Sequence, residues 1–248
     1  MHPSVIPALR QFLGHGEGAV DYMYLDNRPG ERKVTTGIGY LIDPLPSCLE
    51  KHRTGLLRWK RGGHPATERE IQNEWQEVKA MQSFGCGQSG TVFCGRTALN
   101  LRLEHADIEN YFRHAADDYQ RQLMEGSPQK FGEFNSFPAD AQMGILALAW
   151  AVGAGRILAT YGEFRRACGQ RDWHTAGQQS GWTTATGARR AQVRQMFDNA
   201  DAIERQNADD RQHGSRPTYD IAHVYFPQRI VTFTRPERVV GRPTSAGR

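Results

Sequence analysis

The sequence predicts an α+β fold, mostly helical, with a small antiparallel β-hairpin set apart from the helices. Three features carry that expectation. Residues 5–13 place Val5, Ile6, Leu9, Phe12 and Leu13 on one helical face. Residues 19–26 and 33–42 are rich in β-branched and aromatic side chains and flank Asn27-Arg28-Pro29-Gly30, a turn signal that makes them a hairpin. From residue 104 to residue 207, helical periodicity then recurs with few breaks.

Taken in order, Gly14 and Gly16 are expected to stop the first helix. Beyond the hairpin, residues 41–66 mix Pro, Gly and charge and read as irregular surface structure. Thr67-Glu68-Arg69-Glu70 has the capping-box form, in which hydroxyl and carboxylate each satisfy the other residue's backbone N–H. The helix it opens carries Ile71, Trp75 and Val78 on one face. Residues 85–96 form a Gly-rich loop with Cys86 and Cys94. Residues 104–124 make an amphipathic helix through Ile108, Phe112, Ala116, Tyr119 and Leu123. Residues 138–152 are apolar on nearly every side, as a buried central helix is. Further helices are expected at 156–168, 172–180 and 186–207. Residues 219–226 and 229–234, split by Pro227-Gln228, suggest a second hairpin, and residues 243–248 a disordered end. The domain reading is one body over 1–205 with an insertion at about 44–102, then an Arg-rich extension over 206–248.

At 248 residues the chain can bury a substantial core, and its 38% hydrophobic and 23% charged content excludes wholesale disorder. The longest weakly polar run, 144–155, is too short for a bilayer, so no membrane span is expected. The N-terminus has no basic segment leading into an apolar one, so no secretory signal is read. A net charge of +4 draws the protein toward polyanions: nucleic acid, anionic lipid or bacterial wall polymer. Four cysteines are too few for a disulfide framework; Cys86 and Cys94 either pair in an oxidising compartment or stay free. Nine scattered His and no CxxC point to no metal site. There is no P-loop ending and no Gly-x-Ser-x-Gly elbow.

One segment carries chemistry. Glu17 lies between Gly16 and Gly18 just past an apolar helix, Asp26 follows nine residues later near the hairpin turn, and Thr35 opens the second strand. A helix end followed by a hairpin can bring the three to one cleft. Glycosidic hydrolysis needs two carboxylates in unlike surroundings: one protonated, to donate to the leaving oxygen, and one ionised, to activate water. A threonine hydroxyl both donates and accepts, and so can hold that water. The plainer alternatives are a helix-end carboxylate, a turn-forming aspartate and an ordinary strand threonine.

Gly-Glu-Gly, then Asp26, then Thr35-Thr36-Gly37-Ile38-Gly39-Tyr40 resembles the catalytic hairpin of the phage-type lysozymes, the muramidases of glycoside hydrolase family 24. The resemblance covers residues 5–43 and 103–200. It implies a lysozyme-like fold with the hairpin lobe at the cleft, Glu17 as general acid, Asp26 as the carboxylate that activates water, Thr35 sharing that water, and single displacement with inversion. Ser180-Gly181-Trp182, Thr186, Arg189 and Phe197 follow the family's order further on. The family's arginine lies against the catalytic glutamate, which implies that place for Arg189; the alternative is a solvated basic face shared with Arg190 and Arg194. The Trp and Tyr residues read mostly as core; Tyr22 and Tyr24 are on the catalytic strand, so the alternative for one of them is to face the cleft as a stacking platform. Tyr40 stands where the family carries His, the turn between Asp26 and Thr35 is longer than in the short phage enzymes, and the insertion and the extension have no short-enzyme counterpart.

The expected function is therefore hydrolysis of the β-1,4 bond between N-acetylmuramic acid and N-acetylglucosamine in peptidoglycan, with no cofactor, no metal and no nucleic acid partner. A lysozyme-like protein that binds wall or partner without turnover is the alternative. Synthesis in the cytoplasm without a signal peptide, and action in the periplasm or cell wall of a target or host bacterium, fit an antibacterial effector toxin or a phage endolysin. The insertion and extension then become candidate contacts for an immunity protein or a secretion carrier.

Overall fold

The computed structural model describes residues 1–17, 19–28, 31–80, 101–125, 131, 133–181 and 186–230, without the side chains of 15–17, 26–28 and 31. Cys86, Cys94, Trp182 and residues 231–248 lie outside the described residues, and so do the expectations that rest on them.

Helix α1 (Val5–Glu17) buries Val5, Leu9 and Leu13 completely. It runs through Gly14 and Gly16 instead of stopping there. Mid-helix glycines cost about 1 kcal/mol each, but the packed apolar face outweighs that. Gly14 also leaves room for a neighbour: a Cβ there would sit 2.5 Å from Nη1 of Arg10. Arg10 lies in that space and pairs with Glu109 through Nε (2.8 Å) and Nη2 (2.6 Å).

The hairpin follows as β1 (Val20–Arg28), β2 (Glu31–Gly37) and β3 (Tyr40–Leu41), antiparallel in the order β1-β2-β3. The stretch expected as one strand over 33–42 is two. Gly37 and Gly39 have φ of 60° and 72° and reverse the chain around Ile38. Between Val20 and Tyr24 the β1 register slips against β2, and the Thr36 hydroxyl fills the bulge by donating to the Tyr22 carbonyl at 2.8 Å.

Residues 41–66 are not irregular. They form α2 (Leu45–Arg53), β4 (Lys60–Arg61) and β5 (His64–Pro65); β6 (Leu101–Arg102) completes a second small sheet in the order β5-β4-β6. Pro44 and Pro46 look like breakers but sit at the cap and first turn of α2, where backbone N–H groups have no helical acceptor in any case. Helix α3 (Glu68–Ala80) opens with the expected capping box: the Thr67 N–H donates to Glu70 Oε2 at 2.8 Å and the Glu70 N–H to Thr67 Oγ1 at 3.3 Å.

The helical body comprises α4 (His105–Met124), a 3-10 turn (Phe134–Ser136), α5 (Ala139–Val152), α6 (Ala154–Thr160), α7 (Gly162–Gly169), α8 (Trp173–Gln179) and α9 (Gly187–Gln212). The helix expected over 156–168 is thus two, broken at Tyr161, whose φ of −98° and ψ of 56° leave the helical region. Helix α5 is the buried centre. At Gly144 a Cβ would come 2.9 Å from the Phe197 ring, so glycine is what lets α9 approach α5 this closely. Phe197 is fully buried between Phe164 (5.6 Å) and Trp173 (6.5 Å). The two sheets and the helical body together make a mixed α+β architecture. No single described helix is long and apolar enough to cross a membrane.

Helix α9 runs across residue 205, and the hairpin expected from residue 219 onward is not formed among the described residues. Residues 215–230 instead lie along the body as a strap, held by side chains that imitate a strand partner. Asn207 donates to the Tyr219 carbonyl (2.8 Å) and accepts from the Tyr219 N–H (3.0 Å). Asn199 donates to the Gln228 carbonyl (2.8 Å) and accepts from the Ile230 N–H (3.1 Å). The Asp140 carboxylate of α5 takes the N–H groups of Tyr225 (2.8 Å) and Phe226 (3.0 Å) and an Asn199 amide hydrogen (3.0 Å). Val224 is buried in the main core.

Candidate active site

Glu17 is the last residue of α1, and Asp26 and Thr35 occupy adjacent strands. In the β1–β2 register Leu25 pairs with Val34, and both are in the main core. Strand alternation therefore puts the Tyr24–Thr35 and Asp26–Lys33 pairs on the opposite face. Positions 26 and 35 are diagonal neighbours there, a spacing of about 7–8 Å.

Three buried aromatic donors fix this sheet against the helices. Trp150 Nε1 donates to the Ile38 carbonyl (2.8 Å), Trp75 Nε1 to the Ile42 carbonyl (3.0 Å) and the Tyr40 hydroxyl to the Ile108 carbonyl (2.9 Å). A fourth tie is electrostatic: Asp43 Oδ2 accepts the Val34 N–H (3.0 Å) and pairs with Lys79. Each such bond contributes about 1 kcal/mol net, and together they hold the hairpin region against α3, α4 and α5.

Thr35 is only 3% exposed, and its Oγ1 donates to the Lys33 carbonyl at 3.2 Å. Its proton is thus committed to the strand, and what it can offer a water is acceptance. Tyr24 is buried with Val20 and half-buried Tyr22 in a small cluster apart from the main core. Tyr24 is enclosed, and Arg102 lies over the Tyr22 ring at 5.2 Å. Arg102 comes from β6, docked beside β1 by the Leu103 N–H donating to the Asp21 carbonyl at 2.7 Å.

Tyr40 acts as a support. It is 3% exposed, meets Tyr111 edge-on at 4.5 Å, and its phenol is pushed far above its ordinary range by burial. It is a buried donor that ties β3 to α4.

Arg189 lies in the first turn of α9, where its N–H donates to the capping hydroxyl of Thr186 at 3.2 Å. Its guanidinium carbon is 5.3 Å over the ring of Phe12 on α1. Phe12 precedes Glu17 by five residues, about 7.5 Å along the axis. Arg190 and Arg194 are exposed while Arg189 is half-buried, so Arg189 is not part of their solvated face. Phe12 also meets Phe226, at right angles with centroids 5.7 Å apart. Nothing in the sequence near residue 226 marks it for that role.

Away from this region, a shallow groove of about 420 Å³ opens between α9 and the strap, lined by Arg171, Glu204, Arg205, Arg211 and Ile221 among others. About 33 Å of helix separates its Arg211 wall from Arg189, and its Arg171–Glu204 and Arg205–Asp201 pairs are closed. No protein-family model matches the chain, and no curated protein matches it at a significant level.

Proposed function

We propose that this chain is a muramidase with a lysozyme-like fold, hydrolysing the β-1,4 bond between N-acetylmuramic acid and N-acetylglucosamine in peptidoglycan. The observation that carries the reading is the place of Arg189. The Thr186-x-x-Arg189 pattern rests on resemblance alone, and its arginine lies against the helix that ends in Glu17. In this reading Glu17 protonates the leaving oxygen and Asp26 activates the attacking water, with inversion. Thr35 accepts a hydrogen bond from that water. A cation beside Glu17 favours its ionised form and opposes any rise from apolar surroundings.

Purified protein is expected to release reducing ends from peptidoglycan sacculi, and Glu17→Gln to abolish the release. Full activity in Glu17→Gln sinks the assignment. Anhydro-muramic products in the mass spectrum remove Asp26 and its water from the mechanism. The setting that goes with this reading is an effector toxin or an endolysin acting on the wall, with the insertion or extension docking an immunity protein or carrier.

A second reading, a wall-binding protein without turnover, is favoured by the enclosed Thr35 and by Tyr40 in the family's His position. Retention on intact sacculi with no product would support it.

A further inference from the structure

The strap reaches α1, the helix that ends in Glu17. Phe226 meets the Phe12 ring with planes at 88° and centroids 5.7 Å apart, and Arg189 covers the same ring at 5.3 Å. One aromatic side chain of α1 thus meets both a ring from the strap and a cation from α9. Phe226 is itself tightly placed. Its N–H and that of Tyr225 end on Asp140, Gln195 Nε2 donates to the Pro227 carbonyl (2.7 Å), and Asn199 holds the Gln228 carbonyl. Gln195 and Asn199 belong to α9, the helix that carries Arg189, so strap, α9 and α1 meet as one unit. A half-buried phenylalanine that loses one of its packing partners can change rotamer, and a guanidinium resting on its face then shifts with it.

We propose that Phe226 is a positioning residue for the candidate site: it fixes Phe12 and, through Phe12, the guanidinium of Arg189. Residues beyond 205 are then part of the working unit and not an appendage. The consequence for catalysis rests on the muramidase reading; the consequence for Arg189 does not.

The test uses the full chain as Phe226→Ala, Phe226→Leu, Arg189→Gln and the double variant Phe226→Ala/Arg189→Gln. The first readout is the Arg189 Nε–H resonance, which the face of Phe12 displaces upfield. Phe226→Ala is expected to move it downfield, and Phe226→Leu to move it less. If Phe226→Ala does not fold, Phe226→Leu carries the measurement. An unmoved resonance overturns the proposal whether or not the protein is active. The second readout is the alkaline limb of kcat/KM on sacculi. Removing the cation raises the acid's pKa, so Arg189→Gln is expected to move the limb up by about one pH unit. Phe226→Ala is expected to move it the same way, and the double variant no further than Arg189→Gln alone. Limbs that overlay the wild type at temperatures where Phe226→Ala is fully folded overturn the catalytic part. Absence of product from the wild type overturns the muramidase reading, and the resonance still decides the role of Phe226.

Discussion

The ring of Tyr40 occupies the space that a side chain at Gly37 would need: a Cβ at residue 37 would fall well inside the 3.0 Å that real contacts keep from the ring, and the residue's φ is +60°. Close approach and left-handed backbone thus demand glycine together. Gly37→Ala is expected to destabilise by about 1–3 kcal/mol, read as a fall in the midpoint of thermal unfolding.

Tyr40→Phe separates support from chemistry. It removes the donor to the Ile108 carbonyl while keeping the ring against Tyr111. The expected loss is about 1 kcal/mol of stability, measured by denaturant unfolding, with reducing-end release per folded molecule unchanged. A large drop in activity at unchanged stability would return Tyr40 to the substrate.

The capping box of α3 predicts an acid response. The Thr67 N–H, then Arg61, then the Thr67 hydroxyl hold the Glu70 carboxyl down at about 2, from an ordinary value of 4.5. A depressed folded pKa gives stability that is present above the unfolded value and lost as pH falls toward the folded one. The contribution of Glu70 is therefore expected to fade between about pH 4.5 and 2, and Glu70→Gln to flatten that part of the stability–pH curve.

Asp140 runs the other way. Burial raises its carboxyl, against the pull of the Tyr225, Asn199 and Phe226 donors. A raised folded pKa gives stability that is full below the unfolded value and lost as pH rises through the folded one. Asp140→Asn puts amide hydrogens where N–H donors already point, at a cost of about 1–3 kcal/mol. The expected signature is faster hydrogen exchange at the Tyr225 and Phe226 amides.

Local signals were legible. The apolar face of α1, the Thr67–Glu70 box, α4 and the all-round apolar α5 each follow from residues a few positions apart, and periodicity reads such patterns. What failed was decided at a distance. Gly14 is helical because tertiary packing holds α1, and Pro44 with Pro46 start α2 because a first turn tolerates proline. The strap has no strand pattern because its partners are Asn199, Asn207 and Asp140, polar residues that a helical wheel assigns to solvent. At the candidate site, Glu17, Asp26, Thr35 and Arg189 come from a motif in the sequence. Phe226 was not, since a single ring edge on Phe12 leaves no trace in the sequence around it.

The strap also orders events in time. Ser4 Oγ donates to the Ala222 carbonyl, and Phe12 closes on Phe226, so the surroundings of α1 are completed by residues far along the sequence from it. A ribosome has passed residue 226 before that junction can close. Such non-local closure is slow compared with helix formation. A chain that folds this way carries a built-in delay: its helices can form as they are made, while the neighbourhood of Glu17 stays unfinished until synthesis has passed residue 226.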